Sequence, residues 1–510
     1  MRHLLGKCNN SLKCRCLIVR QLASDVATNP INARPFNEIP GPKSLPVIGT
    51  LWKYLPLIGE YSFDRLHHNG FKKLKKFGPV VREEIVPGEN VIWIFNPDDI
   101  EKVFRNEGRY PERRSHLALQ KYRLDRPEIY NTGGLLPTNG PEWWRLRSEF
   151  QHGLSRPKNV RSYLPQTDEI ILEFINHVKR WPVSADQKDF SSELSRLFLE
   201  LTGIVAFDIR LESLRESERT PNSRSSQLIN AAFQTNSCIL GTDNGPQLWR
   251  RLETRLYKKL RKSQQCIEQI AVDLLKKKLE KVSNSETDDD TKSLLEQYLL
   301  SENLDVKDVT GMAVDMLLAG IDTTTYTSSF ALYHLGTNKD KQRKLYEESC
   351  KLLPEPNSPI TTAVLSQAQY TKAVVKENFR MNPISVGIGR ILVQDAVFSG
   401  YHIPKGTVVV TQNQVTCRME KYFPHPNEFI PERWIKDSIY HKQTSPYLLL
   451  PFGHGPRTCI ARWFAEQNLH TLLLRLCRHC EIGWTGGVLD CKSLLINKPD
   501  QPVTITLKPH

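Results

Sequence analysis

The chain has 510 residues, of which 39% are hydrophobic and 25% charged, the composition of a globular protein rather than of a disordered or membrane-embedded one. Its eleven cysteines are scattered along the chain, which favours a reducing compartment over a disulfide framework. Its apolar stretches fall short of the roughly 20 residues that span a bilayer, so we expect no transmembrane anchor.

The first 24 residues carry only positive charge. They contain no Asp or Glu, and Asn, Ser and short apolar patches separate the basic residues, which are Arg2, Lys7, Lys13, Arg15 and Arg20. This pattern predicts a mitochondrial transit peptide, with a disordered basic arm as the alternative. A secretory signal needs an apolar core longer than Cys16–Val19. We therefore predict a presequence and linker over residues 1–34 and one folded domain over residues 35–510.

The formal charge of +14 falls to +9 without this leader, so the chain remains basic. Basic residues cluster at 250–262 and 276–278, where leucines recur between them at helical spacing. No zinc-finger spacing, aromatic RNA-binding motif or glycine-rich phosphate loop accompanies these clusters. We expect them to be solvated faces of amphipathic helices, and we expect no nucleic-acid binding.

Local signals then define the first elements of the folded domain. Residues 62–77 predict an amphipathic helix that Gly78-Pro79 ends, and residues 80–95 alternate like two strands joined by a turn. We expect Asp98 to cap the next helix. The segment Arg109–Pro141 predicts a long loop with a short helix, and loops of this length often line a binding cavity.

A helix beginning at Pro141 carries Trp143 and Arg147 four residues apart. This spacing places both side chains on one face, so an indole N–H and a guanidinium can reach the same anionic group. The alternative is a buried tryptophan beside a surface arginine. Beyond this helix, residues 160–282 are predicted to be almost entirely helical.

Asp305–Leu335 reads as one long helix that Gly336 ends. Its centre, Ala319-Gly-Ile-Asp-Thr-Thr324, places two very small residues before an acid and hydroxyls in an apolar stretch. A threonine that bonds a carbonyl one turn back opens the helix, which makes room for a small ligand, and Asp322 with Thr323 can then deliver protons. The alternative is a helix-packing notch with satisfied polar groups.

Two further patterns follow along the chain. Glu377 and Arg380 share a helical face, and Arg433 comes later in Pro-Glu-Arg-Trp; taken alone, these residues would form a surface ion pair. Lys372 and Lys376 lie four residues apart on the helix of Glu377 and present positive charge on one face.

Near the end of the chain, a glycine-punctuated loop carries Cys459 just before a helix. Gly453 and Gly455 permit positive φ, so backbone N–H groups can point at the sulfur. A thiolate at a helix N-terminus is stabilised by the helix dipole and is a strong ligand for iron. The alternative is a small buried hydrophobic cysteine. Arg457 is placed to pair with a carboxylate of a bound cofactor.

These four motifs occur in the order found in the cytochrome P450 family, which the chain resembles after residue 35. The resemblance implies a mainly α fold with small β-sheets in a single large domain that binds haem b. It identifies Cys459 as the axial ligand of the haem iron, and it gives the cofactor-binding set as Trp143, Arg147, Ala319, Gly320, Arg390, Phe452 and Arg457. Ala461 stands where this family usually has glycine, a small departure.

The resemblance also assigns roles outside the haem contacts. It makes Asp322 and Thr323 the proton-delivering catalytic pair, and it makes Glu377, Arg380 and Arg433 a structural salt-bridge triad. A non-oxygenase haem-thiolate sensor or isomerase, the alternative class, would have no use for the Asp-Thr pair.

Electrons must come from a separate protein, because the sequence has no flavin or iron–sulfur signature. Lys372 and Lys376 resemble the mitochondrial branch of the P450 family, whose partner is an adrenodoxin-like [2Fe–2S] ferredoxin with its NADPH reductase. Arg462 adds positive charge, whereas Trp463 stands where this branch often has a second basic residue. We expect location on the matrix side of the inner mitochondrial membrane, with peripheral membrane contact.

Within this branch, the segment Tyr130–Arg145 resembles ecdysteroid 22-hydroxylases of arthropods. That resemblance implies a small sterol-like substrate and O2, with hydroxylation at carbon 22 of a moulting-hormone precursor. The alternative is oxidation of another ecdysteroid carbon or of a xenobiotic.

Overall fold

A computed structural model of the protein describes residues 32–179, 189–245, 247–282 and 292–510. The predicted transit peptide lies outside the described residues. Among those described, no helix is both long and apolar enough to cross a membrane.

Helices make up most of the described chain. In chain order they are α1 (Leu66–Phe77), α2 (Pro97–Arg105), α3 (Leu117–Leu124), α4 (Gly140–Leu154), α5 (Pro157–Ser162), α6 (Leu164–Val178), α7 (Ser191–Ala206), α8 (Arg224–Asp243), α9 (Arg255–Val282), α10 (Leu294–Leu299), α11 (Val306–Gly320), α12 (Asp322–Thr337), α13 (Lys339–Leu352), α14 (Thr362–Gln367), α15 (Gln369–Met381), α16 (Asn413–Thr416) and α17 (Arg462–His479).

The strands are short and form small sheets. They are β1 (Val80–Val86), β2 (Glu89–Ile94), β3 (Gly389–Ile391), β4 (Ala396–Phe398), β5 (Tyr401–Ile403), β6 (Val408–Thr411), β7 (Cys480–Trp484), β8 (Cys491–Ser493), β9 (Asn497–Pro499) and β10 (Ile505–Pro509). One sheet has the order β1-β2-β6-β3, with β2 parallel to β6, and the other strands pair as β4–β5, β7–β10 and β8–β9. The predicted class, mainly α with small sheets in one domain, is confirmed.

The main hydrophobic core lies where α6, α7, α11, α12 and α17 pack together. Helix α7 is buried over most of its length and α11 nearly so, whereas α9 alternates apolar and charged positions. A helix that is apolar on most sides belongs inside a helical stack, and an amphipathic one belongs on its surface. The core therefore encloses α11 and the start of α12, which carry the motif of small residues, acid and threonines.

Three details of the predicted helix ends are wrong. Asn96 rather than Asp98 caps α2, because its side chain accepts the Asp98 N–H and Pro97 begins the helix. The long predicted helix is two helices, α11 and α12, interrupted at Ile321. Gly336 lies within α12, which ends at Thr337.

Candidate active site

The loop before α17 is held in shape by its own backbone. The Cys459 N–H donates to the Phe452 carbonyl at 2.8 Å, and the Gly453 N–H donates to the Leu450 carbonyl at 3.1 Å. Gly453 and Gly455 have φ of 78° and 70°, conformations that side-chain-bearing residues rarely adopt. The two glycines thus allow the turn that presents Cys459.

A neighbouring carboxylate leaves no room for a side chain at Gly455. A Cβ at this position would lie 1.8 Å from Oε1 of Glu107. Glu107 pairs with Arg390 through a 2.6 Å Nε–Oε2 contact, and Arg390 donates to the His454 carbonyl. Burial raises the pKa of Glu107, although Arg390 opposes this shift. The Cys459 loop, the end of α2 and β3 therefore meet at one buried ion pair.

The Cys459 thiol faces an internal hollow. Its side chain is accessible to solvent, yet desolvation by surrounding protein raises the pKa of the thiol. The Ala461 N–H and the positive charges of Arg147 and Arg462 act in the opposite direction and favour the thiolate. A side chain that is both accessible and surrounded by protein lines an interior space. Ala319 lines such a space too, because it is exposed although Leu317 and Leu318, which precede it on helix α11, are buried.

The interruption between α11 and α12 is produced by side chains that bond backbone carbonyls. The Thr323 hydroxyl donates to the Ala319 carbonyl at 2.6 Å, and the Thr324 hydroxyl donates to the Gly320 carbonyl at 2.5 Å. A Cβ on Gly320 would lie 2.6 Å from the hydroxyl of Thr202 on α7. The small residue therefore admits close helix packing, and the threonines open the helical ladder beside Ala319.

Asp322 is buried at the first position of α12. Its Oδ2 accepts from the amide of Asn236 on α8 at 2.9 Å, and the same amide donates to the Leu318 carbonyl at 3.2 Å. Burial raises the pKa of Asp322 to about 6, while the Asn236 hydrogen bond and the charge of Lys498 oppose the rise. The carboxyl group can therefore take up and release a proton near neutral pH.

Arg457 lies among acceptors of the long loop. It donates to the carbonyls of Pro111 and Thr138 and to Oδ1 of Asn139, and it lies 4.1 Å above the Trp143 ring. Within the described residues its buried Nη1 has no hydrogen-bond partner. This arginine therefore retains donor capacity for an anion.

Other guanidinium groups surround Arg457. Burial together with the charges of Arg113, Arg390 and Arg147 lowers the pKa of Arg457 to about 8. Burial likewise lowers the pKa of Arg113 and that of Arg147 to about 10. Clustered, buried guanidinium groups repel each other unless negative charge lies between them. The site is thus built to receive a group with carboxylates.

Comparison with known proteins agrees with this geometry. The family model described as Cytochrome P450 matches residues 39–499. The chain belongs to the cytochrome P450 family. It is 49% identical over 479 residues to cytochrome P450 302a1, mitochondrial, of Drosophila melanogaster, covering 93% of this chain and 96% of that protein. It is 32% identical over 488 residues to the probable cytochrome P450 301a1, mitochondrial, of the same organism, covering 92% and 87%.

The protein is therefore a mitochondrial, haem-binding P450 monooxygenase. When bound, haem supplies the oxygen-activating chemistry. The described residues fit this group: a thiol facing the hollow, an exposed alanine on α11, and an arginine cluster with an unused buried donor. Phe452, half-buried, packs edge-on against Phe379 with ring centroids 5.2 Å apart, beside the cysteine loop.

Glu377, Arg380 and Arg433 meet in the interior instead of forming a surface ion pair. Arg380 and Glu377 are fully buried and share two hydrogen bonds of 2.8 and 2.9 Å. Arg433 reaches Glu377 at 3.3 Å, and Trp434 donates to it at 2.9 Å. Further donation from Arg380 to the Pro426 carbonyl ties α15 to the segment before α17. The geometry is that of a scaffold.

The three basic residues predicted for partner docking fall on one side of α15 and α17. The nearby charge of Arg462 contributes to lowering the pKa of Lys376, after desolvation, so these two cations are neighbours. Lys372 donates to a nearby carbonyl, and Arg462 pairs with Glu466 at 3.0 Å. Trp463 is 49% exposed beside Arg462. Positive charge and an exposed indole therefore share this surface.

Sequence reasoning missed three residues of the site: Glu107, Arg113 and Asn236. Arg113 lies in the segment Arg109–Pro141, which has no hydrophobic periodicity, and Glu107 lies just before it. The richness of this segment in arginine was the one sequence signal that pointed to the site. Asn236 is one polar residue among several on α8 and reaches Asp322 only through tertiary packing.

Proposed function

We propose that the protein hydroxylates carbon 22 of an ecdysteroid precursor in moulting-hormone biosynthesis. The main support is the segment Tyr130–Arg145, whose sequence resembles ecdysteroid 22-hydroxylases. Its backbone accepts hydrogen bonds from the haem-site arginines Arg113 and Arg457. Leu136 of this segment packs with a buried cluster that includes Leu318 of α11. An apolar wall of this kind is suited to a sterol-like substrate.

In this proposal Cys459 would bind the haem iron as a thiolate, and Trp143, Arg147, Arg390 and Arg457 would hold the haem carboxylates. Arg390 already neutralises Glu107, so it contributes its remaining donor capacity. The Ala461 N–H and the start of α17 stabilise the charge on the sulfur.

Asp322 and Thr323 move the protons that oxygen cleavage consumes. The Asp322 carboxyl, with its pKa near 6, takes a proton from solvent and passes it toward the opening beside Ala319. The Thr323 hydroxyl must turn from the Ala319 carbonyl to hand a proton into the hollow. Thr323→Ala should leave electron consumption running while product falls, and unchanged product yield would instead favour the sensor or isomerase class.

The electron donor in this proposal is a [2Fe–2S] ferredoxin that docks on Lys372, Lys376 and Arg462. Acidic partners bind such surfaces mainly through faster association. Lys376→Glu should therefore slow reduction by ferredoxin, most strongly at low salt, whereas Lys258→Glu on the exposed face of α9 should not. Equal rates in the two variants would remove this surface from the proposal.

We further propose that residues 1–34 direct the protein to the matrix, where it lies against the inner membrane. Exposed apolar side chains near the start of the described chain support peripheral contact: Val47, Leu57 and Ile58 are 88%, 106% and 71% exposed. Large exposed apolar groups at this density are typical of surfaces that meet lipid or protein.

The experiment that tests the main proposal is turnover of the haem-loaded, leaderless protein. It would be supplied with ferredoxin, ferredoxin reductase, NADPH and an ecdysteroid precursor, and the product identified by mass spectrometry and NMR. Oxygen at carbon 22 is the expected result. Oxygen at another carbon would move the assignment to a different ecdysteroid hydroxylase. No product, despite a normal thiolate–CO spectrum, would refute the ecdysteroid assignment.

A further inference from the structure

A cluster of metal-ligating side chains lies away from the haem site, where α1 meets the β8–β9 hairpin. His67 and His68 are in the first turn of α1, and Asp490 directly precedes β8. Nε2 of His67 lies 3.1 Å from Oδ1 of Asp490, and Nε2 of His68 lies 3.2 Å from Oδ2. One ligand atom from each of the three residues lies within 4.8 Å of the others.

These separations match those around a small divalent ion. Zinc holds imidazole nitrogen and carboxylate oxygen at about 2.0–2.2 Å in tetrahedral geometry, which places neighbouring ligand atoms about 3.3 Å apart. The two observed nitrogen–oxygen distances are close to this value, but they end on different oxygens of Asp490. The carboxylate must therefore rotate to bring one oxygen to an ion that both imidazoles bind. Two imidazoles and one carboxylate form a donor set for a borderline divalent metal such as Zn²⁺, with water as the fourth ligand.

The surroundings support His67 as a ligand. It is buried, and its ring nitrogens Nδ1 and Nε2 lie 3.5 and 3.8 Å from the buried Cys491 sulfur, which accepts from the Gln414 amide. A polar partner for the nitrogen that does not bind the metal fixes the orientation of the ring, and the sulfur is such a partner for Nδ1. His68 is half exposed and leaves a path for the ion and its water.

Asp490 already has a cationic partner, with which a metal ion would compete. The guanidinium of Arg65 lies 3.0 Å from Asp490, and it also binds Asp500 and the Cys491 carbonyl. It therefore keeps two partners if Asp490 turns to a metal. Lys72, one turn beyond His68, donates to the Glu60 carbonyl.

We propose that His67, His68 and Asp490 form a binding site for Zn²⁺ or a similar divalent ion, which fastens α1 to the β8–β9 hairpin. The hairpin already touches the entry to α1, since the Ser493 N–H donates to the Asp64 carbonyl at 2.7 Å. Its tip reaches the interior: Leu495 packs with the cluster that contains Leu318 of α11. The ion would therefore stabilise the β8–β9 hairpin, whose tip lies near α11, without itself contacting the haem site.

The test uses the haem-loaded, leaderless protein, stripped with a chelator and dialysed against ZnCl2. We expect one tightly held equivalent of zinc, and calorimetry should show His68→Asn binding at least about tenfold more weakly. Asp490→Asn should weaken zinc binding to a similar extent. The His68 side chain is half exposed, so His68→Asn should fold normally, which a normal thiolate–CO spectrum would verify. His425→Asn, at an exposed His–Glu pair elsewhere, is the matched control and should bind as the wild type does.

X-ray absorption at the zinc edge identifies the ligands. Nitrogen and oxygen at about 2.0–2.1 Å with imidazole scattering is expected, whereas sulfur at about 2.3 Å would assign the ion to cysteines and overturn the proposal. Zinc should also slow amide hydrogen exchange in β8 and β9 of the wild type but not of His68→Asn. A wild type that retains no zinc, or one that His68→Asn matches in affinity, would overturn it as well.

Discussion

Replacing Asp322 by Asn should stabilise the protein while nearly abolishing its activity. Burial raises the pKa of this carboxyl from 3.8 to about 6, so at neutral pH the folded protein holds an unfavourably buried charge. At about 1.4 kcal/mol per pKa unit, the penalty is about 3 kcal/mol. The substitution removes the charge and keeps an oxygen that accepts from Asn236, so it should recover much of this free energy of unfolding.

The stability difference between Asp322→Asn and the wild type should depend on pH. The folded-state pKa lies above that of the unfolded chain, so protonation favours the folded state below about pH 4, and this contribution is lost as the pH rises through 6. The stability advantage of Asp322→Asn should therefore be large at pH 7.5 and small near pH 4.

Thermal unfolding midpoints of the haem-loaded protein, taken at one heating rate across this pH range, measure the difference. Asp437→Asn, at an exposed aspartate, should change nothing. Product formation by Asp322→Asn should meanwhile fall by about 100-fold, as is typical when a proton-transfer group is lost. An advantage independent of pH, or none at pH 7.5, would refute the assignment of a buried charge to Asp322.

Three further outcomes follow from the geometry. Gly455→Ala should sharply reduce haem incorporation, because the added methyl group meets the Glu107 carboxylate and the backbone φ is 70°. Gly389→Ala, whose added methyl group meets open space, should load haem normally. The ratio of haem to protein absorbance compares the two variants. Glu377→Ala leaves Arg380 buried without its carboxylate and should lower stability by about 3–5 kcal/mol, measured by denaturant unfolding, and a loss under 1 kcal/mol would contradict the scaffold role. Lys376→Glu should leave the thiolate–CO spectrum intact while the rate of reduction by ferredoxin falls, and stopped-flow reduction provides that rate.

Much of the site could be predicted because its signals are local. The glycines around Cys459 indicate a special backbone conformation, and the small residues before Asp322 indicate the close approach of another group to the helix. Both signals come from residues adjacent in the sequence. The cap of α2 was also readable: Pro97 at the first helical position marks Asn96 as the cap. The prediction of Asp98 as the cap was wrong because Asp and Asn are both favoured capping residues.

Other features depend on contacts between distant segments. Thr323 and Thr324 bond the preceding turn, which is the local opening that their sequence indicates. Apolar periodicity nevertheless continues through Ile321, and the close approach of Gly320 to α7 depends on tertiary packing. Gly336 fits the pattern of a helix end, but its role is in packing: a Cβ at this position would lie only 3.1 Å from the backbone nitrogen of Trp484 in β7. Glycine signals a special backbone requirement without stating which one.

The pairing of β2 with β6 has a consequence for how the chain reaches its native state. Val91 lies beside Val408 in parallel strands, and Arg65 pairs with Asp490, 425 residues later. Closing such long loops is slow, and the edge of β2 that faces away from β1 has no partner until residues 408–411 are available. A chain delivered from its N-terminus therefore exposes this edge of β2 until β6 follows. Folding yield should depend strongly on chaperones that cover this edge.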